Sequence, residues 1–206
     1  PHEQAGAGPC HGAALAGVIP ETVQATTARL EYFVAENAKT TRAFLKLLGQ
    51  ARPLAKPLQE IRIAGLDVNT PADALPGLLA PILAGQDGGL ISEAGVPAVA
   101  DPGANLVRLA HERGIRVKPL VGPSSLLLAL MASGLNGQRF AFHGYLPVDA
   151  AERARRIKAL EERSRQEHQT QLFIETPYRN LALLQALASA CRPQTLVSVA
   201  TDLSLP

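Results

Sequence analysis

A single stretch between positions 88 and 121 constrains the fold of this chain more than any other part of its sequence. It begins with an apolar run at 88–92, continues through a loop rich in glycine and proline, and enters a segment at 104–113 whose leucines and valine share one helical face. Gly114 follows as a helix stop, and a second apolar run covers 115–121. A strand, a loop, a helix and a strand in this order predict a parallel sheet with a right-handed crossover.

The same alternation of strand-like and helix-like segments extends over most of the chain, and it predicts the α/β class. Gly49 is expected to end the second helix, Pro76 and Pro81 to disturb the third, and an almost wholly apolar fifth helix, at 126–133, to be buried on most sides. Further strands are predicted at 30–35, 61–64, 140–142, 171–174 and 195–200, and further helices at 20–29, 40–48, 71–84, 150–167 and 178–190.

The composition predicts a chain with a buried core and leaves the choice of partner open. Hydrophobic residues make up 47% and charged residues 18% of the 206 residues, which excludes a disordered chain. The net charge of +2 neither requires nor excludes a nucleic-acid partner, because binding of a polyanion depends on a local patch. The turn at Gly122 and Pro123 is expected to separate two α/β domains, 1–121 and 122–206.

Cysteine usage and the absence of a leader pattern predict a cytoplasmic protein. Cys10 and Cys191 form no disulfide framework, and neither the cysteines nor the five histidines have the spacing of metal ligands. No basic and then apolar leader pattern opens the sequence. The uncharged run at 119–138 is interrupted by prolines, glycines and serines, so it predicts a strand, a loop and a buried helix instead of a membrane span.

The loop at 92–103, with the sequence SEAGVPAVADPG, is the segment that carries chemical information. It leaves the carboxyl end of a predicted strand and enters a helix, which is where ligands bind in open α/β sheets. Gly95 permits a close approach to the backbone, and Asp101 lies just before the free N–H groups of the helix. No glycine-rich dinucleotide motif and no P-loop motif is present. A rigid turn in which Asp101 caps the helix explains the same residues equally well.

The stretch at 89–147 resembles the ribosomal RNA small subunit methyltransferase I family, which belongs to the tetrapyrrole methylase superfamily. Two flanking segments, ENAKTTR at 36–42 and FIETPYR at 173–179, resemble further motifs of that family in the same order. The residues that match the central motifs are Ser92, Ala94, Gly95, Pro97, Asp101, Pro102, Gly103, Gly122, Pro123, Gly144, Leu146 and Pro147.

The resemblance implies two α/β domains of the tetrapyrrole methylase type, with a cofactor cleft between them, in a homodimer. It implies S-adenosylmethionine as the cofactor and methyl transfer to a ribose 2′-hydroxyl of small-subunit ribosomal RNA as the reaction. The ribosomal RNA or the small ribosomal subunit would be the partner. The cofactor-binding residues that the resemblance implies are Ser92, Glu93, Ala94, Gly95, Val96, Pro97, Pro123, Ser124 and Ser125.

Methyl transfer to a hydroxyl needs in-line positioning and gains from a base or a stabilising cation, because a ribose hydroxyl is a poor nucleophile at neutral pH. Four polar residues in the matching segments are candidates for this role, and the sequence does not choose among them: Glu36, Lys39, Asp101 and Glu175. A solvated or capping carboxylate at a strand end is an alternative explanation for Glu36 and for Glu175.

Three functions stay open from the sequence. The first is the RNA methyltransferase, the second is a methylase of a tetrapyrrole or another small molecule, and the third is a non-catalytic cofactor- or RNA-binding module. The third is favoured by the lack of a recognisable first family strand in 1–19 and by Asn37, Glu93 and Val96, which replace two aspartates and a threonine of the family motifs. Arginines and glutamates interleave along 150–167, and we interpret that helix as a solvated face with i,i+4 pairs.

Overall fold

The structure is a computed structural model that describes Leu15 and residues 17–203. The described residues divide after Ser124 into two compact units, called unit 1 and unit 2 below. Cys10 and almost all of the segment at 1–19 lie outside the described residues.

Unit 1 is built from helices and short strands that alternate, with short 3₁₀ turns at Leu58–Glu60 and Ala72–Ala74. Pro20 precedes the first helix, and the Asn37 side chain caps the second. The elements are α1 (Glu21–Ala28), β1 (Tyr32–Ala35), α2 (Ala38–Ala51), β2 (Arg62–Gly65), α3 (Leu75–Leu83), β3 (Gly88–Ile91) and α4 (Ala104–Glu112).

The three strands of unit 1 form a parallel sheet in the order β2-β1-β3, with β1 buried over its whole length. Tyr32 and Val34 of β1 pack with leucines of α3 and α4 on one face, and Phe33 packs with leucines of α2 on the other. Helices therefore cover both faces, as expected for a parallel sheet. β3 makes room for the two rings with Gly88 and Gly89. A Cβ atom on Gly89 would lie 2.8 Å from Cδ1 of Phe33.

Unit 2 is smaller and contains a two-stranded parallel sheet, β4-β5. Its core is made by Leu146 together with aliphatic residues of two helices, above all Ile157, Leu160, Leu183 and Leu187. The elements are α5 (Ser125–Ser133), β4 (Phe140–Tyr145), α6 (Ala150–Glu167), β5 (Thr170–Ile174), a 3₁₀ turn (Pro177–Arg179) and α7 (Asn180–Ala190). The prediction of the α/β class is confirmed.

Two predicted strands are wrong. The segments at 115–121 and 195–200 are not paired with any strand in the described part of the chain. An apolar run becomes a strand only when a neighbouring strand takes up its N–H and C=O groups. Without such a neighbour, Val121 and Leu196 remain exposed. The crossover expected from 88–121 therefore ends, after α4, in unpaired chain.

Three details of the predicted helices are also corrected. α2 continues through Gly49, where a Cβ atom would lie 3.4 Å from Cδ1 of Leu54, so this glycine packs closely and does not end the helix. Pro81 lies within α3. α5 buries only Leu130 and leaves Met131 78% exposed, because apolar composition alone does not provide a neighbour to cover each side. Across the described ranges, no helix has both the length and the hydropathy needed to span a bilayer.

Candidate active site at the carboxyl ends of β1 and β3

The candidate site lies where the strand order of unit 1 reverses. The chain passes from β1 to β2 on one side of the sheet and then to β3 on the other side of β1. In open α/β sheets, ligands bind outside the carboxyl ends of the strands at such a switch point. The last residues of the two strands, Ala35 and Ile91, are paired in register, so the residues that follow them lie side by side.

Hydrogen bonds join the two strand ends. The Glu36 N–H donates to the Ile91 carbonyl at 3.2 Å, and the Glu93 N–H donates to Oε2 of Glu36, also at 3.2 Å. The Glu36 carboxylate thus fixes the start of the loop that follows β3. Glu36 is therefore half-buried and has a defined orientation. It differs in this from the solvated carboxylate that the sequence offers as an alternative.

The loop at 92–103 folds back on itself in a strained conformation. Four of its residues have positive φ angles, namely Gly95 (73°), Ala98 (67°), Ala100 (61°) and Gly103 (134°). An alanine in this region costs about 1–2 kcal/mol relative to the right-handed region. Strain of this kind concentrates at functional sites, where the surrounding structure holds it. Here Gly103 allows the close fit, because a Cβ atom on it would lie 2.8 Å from Cδ2 of Leu90.

Asp101 is half-buried on this loop and faces the Glu36 region. Partial burial raises the pKa of Asp101 above its ordinary value, the Ser92 hydroxyl lowers it, and the nearby Glu36 carboxylate raises it further. The explanation of Asp101 as a helix cap is wrong. The N-cap of α4 is Gly103, and no described side chain caps that helix. Asp101 is therefore a carboxyl group whose ionised form the described part of the protein stabilises poorly.

Asn37 and Lys39 lie next to Glu36 at the start of α2. Oδ1 of Asn37 accepts from the Lys39 N–H at 2.9 Å and from the Thr40 N–H at 3.4 Å. Asparagine caps a helix as well as the aspartate of the family motif does, so this replacement preserves the local structure. The Lys39 side chain is exposed in the first turn of the helix.

The loop at 92–97 contacts the chain that leads out of unit 1. A Cβ atom on Gly122 would lie 3.0 Å from Cγ1 of Val96, so the two segments touch and glycine is the residue that fits. Pro123 and Ser124 follow directly in irregular chain and are half-buried, and Ser125 is the first residue of α5. Six of the nine residues implied for cofactor binding therefore lie in the loop around Val96, and the other three follow directly after the glycine that meets Val96.

Glu175 lies in unit 2, at the end of β5, and has a different environment. Arg179 Nη2 donates to it at 2.6 Å, the Thr176 N–H donates to it at 2.8 Å, and its side chain is 5% exposed. Burial alone would raise the pKa of Glu175, but these hydrogen bonds outweigh it and hold the pKa below its ordinary value. A carboxylate satisfied in this way is suited to a structural ion pair. The i,i+4 spacing of Glu175 and Arg179 is the one signal in the sequence that points to this pair.

No cluster of histidine, cysteine, aspartate and glutamate among the described residues could hold a metal ion. The αL conformations of Ala98 and Ala100 have no signal in the sequence, because alanine gives no reason to expect them.

Comparisons with known proteins show what the chain is similar to. No profile of a known protein family matches the chain. The chain is 34% identical over 179 residues to ribosomal RNA small subunit methyltransferase I of Mesorhizobium japonicum, which covers 87% of this chain and 56% of that protein. The resemblance to these methyltransferases is confirmed. Identity reaches 47% over 104 residues with the protein of the same description from Pseudomonas aeruginosa, across 50% of this chain and 34% of that one.

The described fold also has a counterpart among solved structures. The crystal structure of the methyltransferase CobJ matches with a TM-score of 0.54 and 16% identity, over 85% of this chain and 72% of that one. At this identity the likeness concerns the fold alone. The chain spans about half the length of the curated relatives it matches, from 34% to 58% in the first four.

Proposed function

We propose that this chain belongs to an S-adenosylmethionine-dependent methyltransferase that modifies a ribose 2′-hydroxyl of small-subunit ribosomal RNA. The observation that carries the proposal is the half-buried Asp101, with its raised pKa, beside Glu36 at the switch point of the parallel sheet. The relatives named above supply the class of reaction and the substrate. We also propose a domain boundary at Gly122–Pro123, a cofactor cleft between the domains, a homodimer and a cytoplasmic location.

The residues of the loop fit this cofactor. S-adenosylmethionine carries a sulfonium and an ammonium group, and the Glu36 and Asp101 carboxyl groups provide negative charge at one end of the sheet. Gly95 is exposed, and a Cβ atom on it would meet only Oδ2 of Asp101, at 3.9 Å. Backbone groups of 92–97 are thus open to a ligand. The bound cofactor supplies an electrophilic methyl group.

In this reaction the protein positions the methyl donor and the hydroxyl group and removes a proton. The strained loop holds the backbone of 92–97 in a fixed geometry, which favours an in-line approach. Asp101 accepts the proton of the ribose hydroxyl. Its raised pKa makes it a stronger base than an ordinary aspartate, although the neighbouring Ser92 hydroxyl offsets part of that rise. Glu36 repels the Asp101 charge and is itself held by the Glu93 N–H.

Calorimetric titration with S-adenosylhomocysteine tests the site without turnover. We expect one site with a dissociation constant in the micromolar range, about −8 kcal/mol. Gly95→Arg fills the open side of the loop and should abolish the binding. Gly77→Arg is the matched control, because Gly77 is exposed on α3 and no atom lies near its Cβ position. No heat and no thermal shift with the unmodified chain would overturn the proposal.

A further inference from the structure

Two of the three tyrosines of this chain lie exposed at one end of the unit 2 sheet. Aromatic residues make up only 4% of the sequence, and tryptophan is absent. Tyr32 is fully buried in unit 1, whereas Tyr145 is 57% and Tyr178 84% exposed. Tyrosines are enriched at interfaces, where the ring contacts a partner and the hydroxyl reaches water.

Backbone structure brings the two tyrosines to the same place. β4 and β5 change register between the pairs Phe142–Leu172 and Tyr145–Ile174, and Gly144 in between has a φ of 65°. Such a bulge re-aims the side chain that follows it. Nη2 of Arg179 donates to the Leu146 carbonyl at 3.2 Å, which ties the residue after Tyr145 to the residue after Tyr178. The Glu175–Arg179 ion pair holds this connection.

Positive charge without ion pairing lies next to the tyrosines, on the first turns of α6. Nη1 of Arg153 donates to the Val148 carbonyl at 2.9 Å, and Nη2 of Arg156 lies 3.3 Å from Nδ1 of His143. Arg155 and Lys158 are exposed. None of these four cations forms an ion pair with a carboxylate of the described ranges.

The second half of the same helix is different. Arg163 pairs with Glu167 at 3.1 Å, and Arg165 pairs with Glu162 at 2.5 Å. The interpretation of the whole helix as a solvated face with internal pairs therefore holds for its carboxyl-terminal half only. The amino-terminal half, which also carries the exposed Glu152, presents cations that have no carboxylate partner among the described residues. The positive end of the helix dipole adds to them.

We propose that Tyr145, Tyr178 and the four cations form a surface for single-stranded RNA, called the RNA rim below. The tyrosines stack on unpaired bases, and the cations Arg153, Arg155, Arg156 and Lys158 bind the phosphates between them. Exposed aromatic rings beside unpaired cations are the usual arrangement for single strands, whose bases are free to stack. The choice of RNA rests on the proposed function, whereas the surface itself rests on unit 2.

Fluorescence anisotropy with a labelled single-stranded RNA about ten nucleotides long tests the tyrosines in the full chain. Tyr145→Ala and Tyr178→Ala should each weaken binding about tenfold, because each removes one stacked base. Tyr145→Phe and Tyr178→Phe keep the ring and should bind as the unmodified chain does. Equal affinity for the alanine and phenylalanine variants would overturn the proposal.

The cations are tested on the same helix with matched controls. Arg155→Gln and Lys158→Gln should each weaken RNA binding and reduce its salt dependence by about 0.7 in the log–log slope, the value for one lost phosphate contact to a single strand. Arg163→Gln and Arg165→Gln remove the same charge from the paired half and should change neither quantity. An equal effect of all four substitutions would show nonspecific attraction and contradict the RNA rim.

Intrinsic tyrosine fluorescence separates this proposal from the proposed function. Because Tyr32 is buried and no tryptophan is present, quenching by RNA reports on the RNA rim alone. Free tyrosine in parallel corrects for absorption by the RNA. Quenching without binding of S-adenosylhomocysteine would preserve the RNA rim and overturn the methyltransferase. Binding of S-adenosylhomocysteine without quenching would preserve the methyltransferase and overturn the RNA rim.

Discussion

Each unit has a carboxyl group in the chain that connects a parallel strand to the next helix, and the surroundings of the two groups have opposite effects. Glu175 in unit 2 receives an arginine and a backbone N–H, and its pKa is lowered. Asp101 in unit 1 has partial burial and a neighbouring carboxylate, and its pKa is raised. A stabilised anion contributes to the fold, whereas a destabilised one is available to take up a proton. Both carboxyl groups thus lie between a strand and a helix, and their surroundings decide the role.

Loss of methyl transfer in Asp101→Asn is the largest effect that we expect. The substitution removes the proposed base and should lower the rate of methyl transfer to small ribosomal subunits by about 10²- to 10⁴-fold, a much larger change than any loss of affinity for S-adenosylhomocysteine. Radiolabelled methyl incorporation measures the rate. Asp73→Asn, on an exposed 3₁₀ turn, is the control. A normal rate in Asp101→Asn would show that Asp101 is not the base and would contradict its role in the comparison with Glu175.

Glu175→Gln should show the opposite behaviour, with loss of stability as the main effect. The neutral amide leaves the Arg179 charge without its partner, which we expect to cost about 2 kcal/mol in the free energy of unfolding. Urea unfolding followed by circular dichroism measures it. Glu162→Gln breaks a more exposed pair with Arg165 and should cost much less. Equal losses for the two variants would show that burial of Glu175 is unimportant.

The pH dependence of stability should also have opposite signs at the two positions. The advantage of the unmodified chain over Glu175→Gln is present at neutral pH and is lost as the pH falls through the folded pKa of Glu175, below the ordinary 4.5. Asp101→Asn should be more stable than the unmodified chain at neutral pH. That difference should shrink as the pH falls through the raised pKa of Asp101, towards the ordinary 3.8. Urea midpoints across acid pH measure both, and parallel curves would contradict the contrast.

The smallest effect concerns the strained alanines. Ala98→Gly and Ala100→Gly should each stabilise the chain by up to about 1 kcal/mol, because glycine adopts positive φ without a steric cost but loses more entropy on folding. Thermal unfolding measures the gain. His168, at the end of α6, has a φ of 50°, so His168→Gly relieves the same kind of strain in unit 2 and is the matched control. We expect weaker binding of S-adenosylhomocysteine only in the unit 1 variants, and unchanged binding there would show that the strain has no part in the site.

Predictions from the sequence succeeded where the signal is local. The span of α6 followed from its charged helical repeat, and the structure confirms it, with the Asp149 side chain as the cap. The loop at 92–103 was located by its glycines and prolines between a strand and a helix. Strand pairing failed at 115–121 and 195–200, because pairing depends on distant chain. The environments of Asp101 and Glu175 were also out of reach, since a pKa is set by neighbours that only folding brings together.

The two adjacent glycines of β3 make the substitutions that β3 can accept depend on the residues present in β1. Replacement of Gly89 by alanine is blocked while Phe33 occupies the space, since the new methyl group would lie 2.8 Å from its ring. Replacement of Phe33 by a smaller residue first would leave a void in the core, which is costly in its own right. Either single step is therefore expected to be harmful, and the double change meets only the side chain of Leu30, 2.9 Å from the new methyl group. Homologous chains should therefore vary at these two positions jointly or not at all.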